Sequence, residues 1–180
     1  MSTIENFPKS NIFFFNKNYN KINLFLRTLG KKKNHYVLKR YNDLLKIRDV
    51  NLVINATSVG FDSNILKNKK YCNLINYSPL SPVKNIFFFN KNFKKNNYQF
   101  FWCKKNIFDT LNFFFNNLQT FVFDIIYNPK KTILIKIAEL FNLGYLNGEN
   151  MNLMQAVYGF KLVNNYNDIS KIRKAMIMLK

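Results

Sequence analysis

Two polar side chains toward the C-terminus stand among apolar neighbours, and their types suit ligand binding. Tyr127 closes an apolar run that begins Phe121-Val122-Phe123 and continues through Asp124-Ile125-Ile126. Gln155 falls on a stripe with Met151, Met154, Tyr158 and Leu162, residues three and four apart and so on one face of a helix. A buried amide must find partners, because an unsatisfied one costs roughly 1–3 kcal/mol. Glutamine donates and accepts at once, which suits a polyhydroxylated ligand. A structural role is open to both residues as well. Gln155 could bond a loop backbone, and Tyr127 could be core with its hydroxyl at the surface. Thr57 and Ser58 follow a short apolar run and suit a turn cap. His35, Cys72 and Cys103 are isolated, so neither a zinc site nor a disulfide framework is expected.

The elements that must position these residues read as alternating strands and helices. Asn11 to Phe15 is a buried strand in this reading, followed by the turn Asn16-Lys17-Asn18-Tyr19-Asn20. A helix from about Lys21 to Leu29 carries Ile22, Phe25, Leu26 and Leu29 on one face and stops at Gly30. His35 to Leu38 is a second strand, ending at Lys39-Arg40-Tyr41, and Asn42 to Ile47 a short helix. Asn51 to Ile54 is a third strand. Ser78-Pro79-Leu80-Ser81-Pro82 is a loop by its prolines, and Tyr98 to Trp102 could be another strand. Ile107, Leu111, Phe114, Phe115 and Leu118 are helix-spaced, giving a helix from about Asp109 to Leu118. After the Phe121 strand, Asn128-Pro129 breaks the chain. A helix follows through Ile133, Leu134, Ile137, Ala138 and Phe141, closed by Gly144 as a left-handed cap. A further helix begins after Asn147-Gly148-Glu149-Asn150. The last starts near Asp168, a good N-cap, with Ile172, Ala175, Met176 and Leu179 on its apolar face.

Three motifs carry a resemblance. Asp124-x-x-Tyr127-x-Pro129-x-x-Thr132-x-Leu134, then Asn147-Gly148-x-x-Met151-x-x-x-Gln155-Ala156, resembles the C-terminal part of shikimate dehydrogenase. Upstream, Asn51-Leu52-Val53-Ile54-Asn55-Ala56-Thr57-Ser58-Val59-Gly60 is similar to the same family's strand-plus-loop, and the three occur in the family's order. The resemblance implies an α/β fold, a Rossmann-like mostly parallel sheet flanked by helices. The chain is then one dinucleotide-binding-like domain over 1–180, with an irregular insertion at 61–105. Within that insertion, residues 85–92 copy 11–18, either as a duplicated strand and turn or, the favoured reading, as low complexity from a restricted residue alphabet.

The family reduces 3-dehydroshikimate to shikimate with NADPH. By resemblance Tyr127 and Gln155 touch shikimate from the cofactor-domain side, and Ile125, Gly148 and Met151 pack near the nicotinamide. Gly148 also has a physical reason: a residue without Cβ lets a ring lie flat on the backbone. The Asn55–Gly60 loop would border the cofactor, with Thr57 and Ser58 bonding the ribose or nicotinamide end. Arg40 would meet the 2′-phosphate of NADP, since a planar guanidinium bonds two phosphate oxygens; the alternative is a solvated basic residue. The family's catalytic Lys and Asp, and its Ser-x-Ser element for the substrate carboxylate, belong to an N-terminal domain with no match here. No catalytic residue can therefore be assigned, and a separately encoded N-terminal half is the expected partner. The chain departs from the family in two further places. Asn16 to Asn20 holds no glycine where a dinucleotide fold needs one for close approach to the pyrophosphate. Asn150 replaces a second glycine.

Composition fits a globular protein. Hydrophobic residues make up 48% of 180, enough for a core and against disorder. Apolar runs such as Phe113–Phe115 are too short to span a bilayer, and no signal peptide is apparent, so the cytoplasm is the expected compartment. The net charge of +19 raises nucleic acid as a partner. Its lysines are scattered, however, and only Arg27, Arg40, Arg48 and Arg173 are arginines. Lys, Asn, Phe, Tyr and Ile share A/T-rich codons, so base composition explains the charge. A specific nucleic-acid partner is not expected, though non-specific binding at low salt is.

Overall fold

The computed structural model of the chain describes residues 9–16, 18–28, 30, 32–61, 74–82 and 95–178. The chain divides into two compact units, Met1–Ile47 and Arg48–Lys180.

The first unit is a β-α-β-α succession. Strand β1 is Ile12–Phe15, helix α1 Tyr19–Thr28, strand β2 His35–Leu38 and helix α2 Tyr41–Leu44. β1 and β2 pair in parallel, Ile12 opposite His35 and Phe15 opposite Leu38. A parallel pair needs a crossover, and α1 supplies it. The helix ends where sequence placed its stop. Gly30 takes φ +71°, a left-handed conformation that a side chain disfavours, and its N–H donates to the Arg27 carbonyl. Leu26 is the fully buried residue of α1, whereas Phe25, expected on the inward face, is exposed. β1 is only half-buried: Phe13 stacks on Tyr36 at 5.0 Å on an open face. Lys17, Leu29 and the repeat at 85–92 lie outside the described residues.

The second unit holds a three-stranded parallel sheet, β3 (Leu52–Asn55), β4 (Phe121–Asp124) and β5 (Tyr145–Asn147), in the order β3-β4-β5. Helices α3 (Lys95–Phe115), α4 (Ile133–Leu140), α5 (Glu149–Asn164) and α6 (Ile169–Met178) accompany it, with a short 3₁₀ turn at Leu74–Asn76. The core is built from Val122 of β4, Leu134, Ile135, Ile137 and Ala138 of α4, Phe113 and Phe114 of α3, and Ile126. The parallel α/β character expected from sequence holds in both units. Among the described residues no helix is long and apolar enough to cross a membrane.

Three expectations are corrected. Tyr98 to Trp102 is not a strand but part of α3, which begins at Lys95, well before Asp109. The buried stripe of α3 is Asn106, Asp109, Thr110, Phe113 and Phe114, largely polar, with Asn117 buried just past its end, so hydropathy hides it; Phe115 and Leu118, expected inside, are 69% and 59% exposed. The stripe is polar because it clamps the Ser78–Pro82 loop. Asn106 accepts from the Ser78 N–H at 2.7 Å and donates to the carbonyls of Ser78 and Ser81, while Ser81 Oγ donates to Asp109 at 2.6 Å. Second, α4 is not closed by Gly144. Asn142 takes the left-handed turn at φ 54°, with Leu143 N–H donating to the Ala138 carbonyl and Asn142 N–H to that of Glu139, a Schellman closure. Third, Gly144 leads into the strand β5, which sequence did not predict. Its hydrogen faces Phe121, whose Cδ2 would lie 2.7 Å from an added Cβ.

Candidate functional site

All three strands of the second unit end in a polar residue, and the register aligns them. Asn55 pairs with Asp124, and Asp124 with Asn147, at the carboxyl edge of the sheet. In open α/β sheets that edge is where ligands bind.

Asp124 is fully buried and its two oxygens serve three donors. Asn55 Nδ2 and the Ile126 N–H reach Oδ1 at 2.9 and 3.1 Å, and Thr132 Oγ reaches Oδ2 at 2.7 Å. Burial pushes the carboxyl above its ordinary range, while the bonds from Thr132, Ile126 and Asn55 pull it back down. Thr132 is also the N-cap of α4, accepting from the Ile135 N–H. Asn55 in turn shapes the loop after β3. Its Oδ1 accepts from the Thr57 N–H and hydroxyl at 3.0 and 2.7 Å, and its Nδ2 also donates to the Val59 carbonyl. Gly60, at φ +105°, brings the loop against Thr132, whose Cγ2 would lie 3.1 Å from a Cβ at that position. The Asn55–Gly60 loop, the end of β4 and the start of α4 thus form one hydrogen-bonded block.

The sequence-predicted residues distribute over this frame as follows. Ile125 and Gly148 come together: a Cβ on Gly148 would collide with the Ile125 carbonyl oxygen and stand 3.0 Å from its Cα. The Gly148 N–H donates to the Ile126 carbonyl at 3.2 Å. The chain itself therefore requires glycine at 148, a reason separate from any ring packed on it. Met151 lies just inside α5 and is half-buried. The Thr57 hydroxyl donates to Asn55 and accepts from the Val59 N–H, the turn-capping arrangement, so its proton is committed within the loop. Tyr127 is 46% exposed. Arg40 belongs to the first unit, just past β2; it is exposed, and its backbone N–H donates to Asp43 at 3.1 Å.

Gln155 was expected on a buried stripe, and that is corrected. It is exposed, as are Tyr158 and Leu162, the last at 82%. α5 turns Val157 inward instead, with Leu153, Met154 and Lys161 half-buried beside it. Both faces of this helix are apolar, so periodicity cannot choose between them. Among the described residues neither the Gln155 amide nor the Tyr127 hydroxyl has a hydrogen-bond partner. Sequence reasoning gave no role to Asn55, Asp124, Thr132 or Asn147. The usable signal was a polar residue ending each apolar run, with a threonine just ahead of the next helix. Among the described residues no cluster of His, Cys, Asp and Glu could hold a metal ion.

The fold and the polar carboxyl edge define a Rossmann-like α/β protein. No protein-family model matches the chain, and no curated protein matches it by sequence. Its similarity is to solved structures. The shikimate 5-dehydrogenase of Listeria monocytogenes, solved with shikimate and NAD, aligns over 93% of this chain and 47% of its own at 19% identity and a TM-score of 0.53. A shikimate dehydrogenase solved with NADP+ aligns over 93% and 46% at 22% identity and 0.51. Shikimate dehydrogenase 1 of Peptoclostridium difficile aligns over 91% and 44% at 16% identity and 0.52. The chain spans less than half the length of each. At these identities the likeness is one of fold.

Proposed function

We propose that this chain is the cofactor-side half of a shikimate dehydrogenase-like oxidoreductase, acting in the reduction of 3-dehydroshikimate to shikimate with NADPH, a step toward aromatic amino acids. A separate polypeptide would supply the substrate half, with its acid and carboxylate-binding groups. The observation that carries this reading is the block built on Asp124. It holds two of the three family-like motifs in one hydrogen-bonded unit, and Gly148 ties the third to it through Ile125 and Ile126. Tyr127 and Gln155 are both exposed. In this role Gln155 binds hydroxyls of the substrate by donating and accepting, and Tyr127 offers a further hydroxyl. Ile125, Gly148 and Met151 would line the nicotinamide end, and Thr57 the loop beside it. Arg40 would face the 2′-phosphate that distinguishes NADP from NAD. The compartment would be the cytoplasm, with neither a membrane nor a specific nucleic acid as partner.

The turn after β1 has no glycine, and its own side chains occupy backbone donors there. That observation favours a second reading, a non-catalytic remnant that keeps the fold or binds a partner. Shikimate-dependent NADPH formation separates the two, measured on the chain alone and with a candidate substrate half added. Tyr127→Phe and Gln155→Ala serve as site controls. Activity that needs the partner and falls in both variants supports the oxidoreductase half. Inactivity in every combination leaves the remnant.

A further inference from the structure

An asparagine carboxamide accepts and donates at once. Asn147, the last residue of β5, uses both capacities, and neither partner lies in its own strand. Its Oδ1 accepts from the Glu149 N–H at 3.1 Å, and its Nδ2 donates to the Lys130 carbonyl at 3.2 Å. The first bond closes the start of α5. The N-cap of that helix is Gly148, which has no side chain to offer the first helical N–H groups, and the preceding residue does so instead. The second bond reaches back to the loop between β4 and α4.

That loop carries Tyr127. Asp124 holds both of its ends, through the Ile126 N–H and the Thr132 hydroxyl. Between those ends run Tyr127, Asn128, Pro129 and Lys130, and the Asn147 amide ties the last of these to the strand that leads into α5. The abutment of Gly148 on Ile125 fixes where α5 begins, and the bond from Asn147 fixes the course of the loop beyond Ile126. Gln155 follows about two helical turns after Asn147. One side chain thus joins the main chain that carries Tyr127 to the main chain that carries Gln155. Aspartate at 147 would keep the cap and lose the donor, and alanine would lose both.

We propose that Asn147 is a positioning residue for Tyr127 and Gln155, holding the loop of the one to the helix of the other so that both reach the same polyhydroxylated ligand, a placement that rests on the ligand role proposed for the pair above.

The test uses the full chain as wild type, Asn147→Asp and Asn147→Ala. In the first arm kcat and the KM for shikimate are measured for NADPH formation with the candidate substrate half present. Asn147→Asp is expected to raise KM about fivefold, the worth of one net hydrogen bond, with kcat within about twofold of wild type. A merely structural role would lower the folded fraction, and so the apparent kcat, and leave KM alone. In a Tyr127→Phe background the rise should shrink below about twofold, because the relative placement of two contacts matters only while both are made. An unchanged KM, or the full rise in that background, overturns the proposal. In the second arm trypsin cleavage after Lys130 and Lys131 is followed by mass spectrometry, with cleavage after Lys171 and Lys174 of α6 as internal standard. Asn147→Asp should speed the loop cuts about fivefold over the standard, at an unchanged urea midpoint because the cap on α5 is kept. Asn147→Ala should speed them likewise and lower the midpoint as well. Equal cleavage in wild type and Asn147→Asp overturns the proposal. Inactivity in every combination counts against the oxidoreductase reading, and the protease arm then decides the role of Asn147 by itself.

Discussion

Asp124 is the residue on which the second unit's carboxyl edge depends, and its replacement by alanine and by asparagine should separate geometry from charge. Alanine removes the acceptor from three donors at once: Asn55 Nδ2, the Ile126 N–H and Thr132 Oγ. A buried donor left unsatisfied costs about 1–3 kcal/mol. Asn55 keeps its bond to the Val59 carbonyl, and loss of a desolvated carboxylate offsets part of the penalty. The net expectation is about 3 kcal/mol of destabilisation. Asparagine retains an oxygen for Asn55 and Ile126. Its amide then donates to Thr132 Oγ, whose own proton loses its acceptor, a cost of about 1 kcal/mol. The pH dependence follows from burial. The carboxyl of the folded protein titrates above its ordinary 3.8, so the folded state binds more protons between that value and the raised one. Wild-type stability should therefore fall, relative to Asp124→Asn, as pH rises through that window, because the asparagine has nothing to titrate. Urea unfolding followed by fluorescence of Trp102, the chain's single tryptophan, reports on this unit. Alanine within about 1 kcal/mol of wild type would refute the account of the block.

Four further outcomes are expected. Gly148→Ala drives a Cβ into the Ile125 carbonyl and should cost about 3 kcal/mol, whereas Gly144→Ala meets only the Phe121 ring, which can turn, and should cost about 1 kcal/mol in the same urea assay. Asn106→Ala strips the Ser78–Pro82 loop of three bonds and should destabilise by about 2 kcal/mol, with the loop newly open to protease. Tyr127→Phe and Gln155→Ala should each leave stability within about 0.5 kcal/mol, because both side chains are exposed, so any loss of activity in them is a site effect. The Lys171 backbone N–H donates to Asp168 and holds its carboxyl below the ordinary value. The cap on α6 is thus intact above pH 3.8 and weakens as acid protonates it, read as helical circular dichroism lost on acidification and not on addition of base.

Strands with apolar runs and helices with firm ends were legible in the sequence. β4, α4 and the Asp168 start of α6 fell where pattern and cap placed them. α3 was misread because its buried side is Asn106, Asp109 and Thr110, residues that hydropathy sends to the surface. β5 was missed because Gly144 looked like a helix stop, while Asn142 performed that task. The site's residues were legible only as types. The turn cap at Thr57 is local and was legible, but that Gly148 abuts a carbonyl and that Gln155 faces out are facts of packing between segments far apart in the chain. No local pattern encodes them.

The abutment of Gly148 on Ile125 bears on how the exposed face would meet a ligand. Backbone touching backbone, with a hydrogen bond from Gly148 to Ile126, leaves the first turn of α5 little room to shift against the end of β4. The spacing between Tyr127 and Gln155 is then set by the main chain and not by adaptable side-chain packing. A ligand that engaged both would have to order these two side chains and little of the backbone beneath them. At about 0.5–1.5 kcal/mol for each side chain immobilised, ordering Tyr127 and Gln155 would add little to the rigid-body cost that any ligand meets.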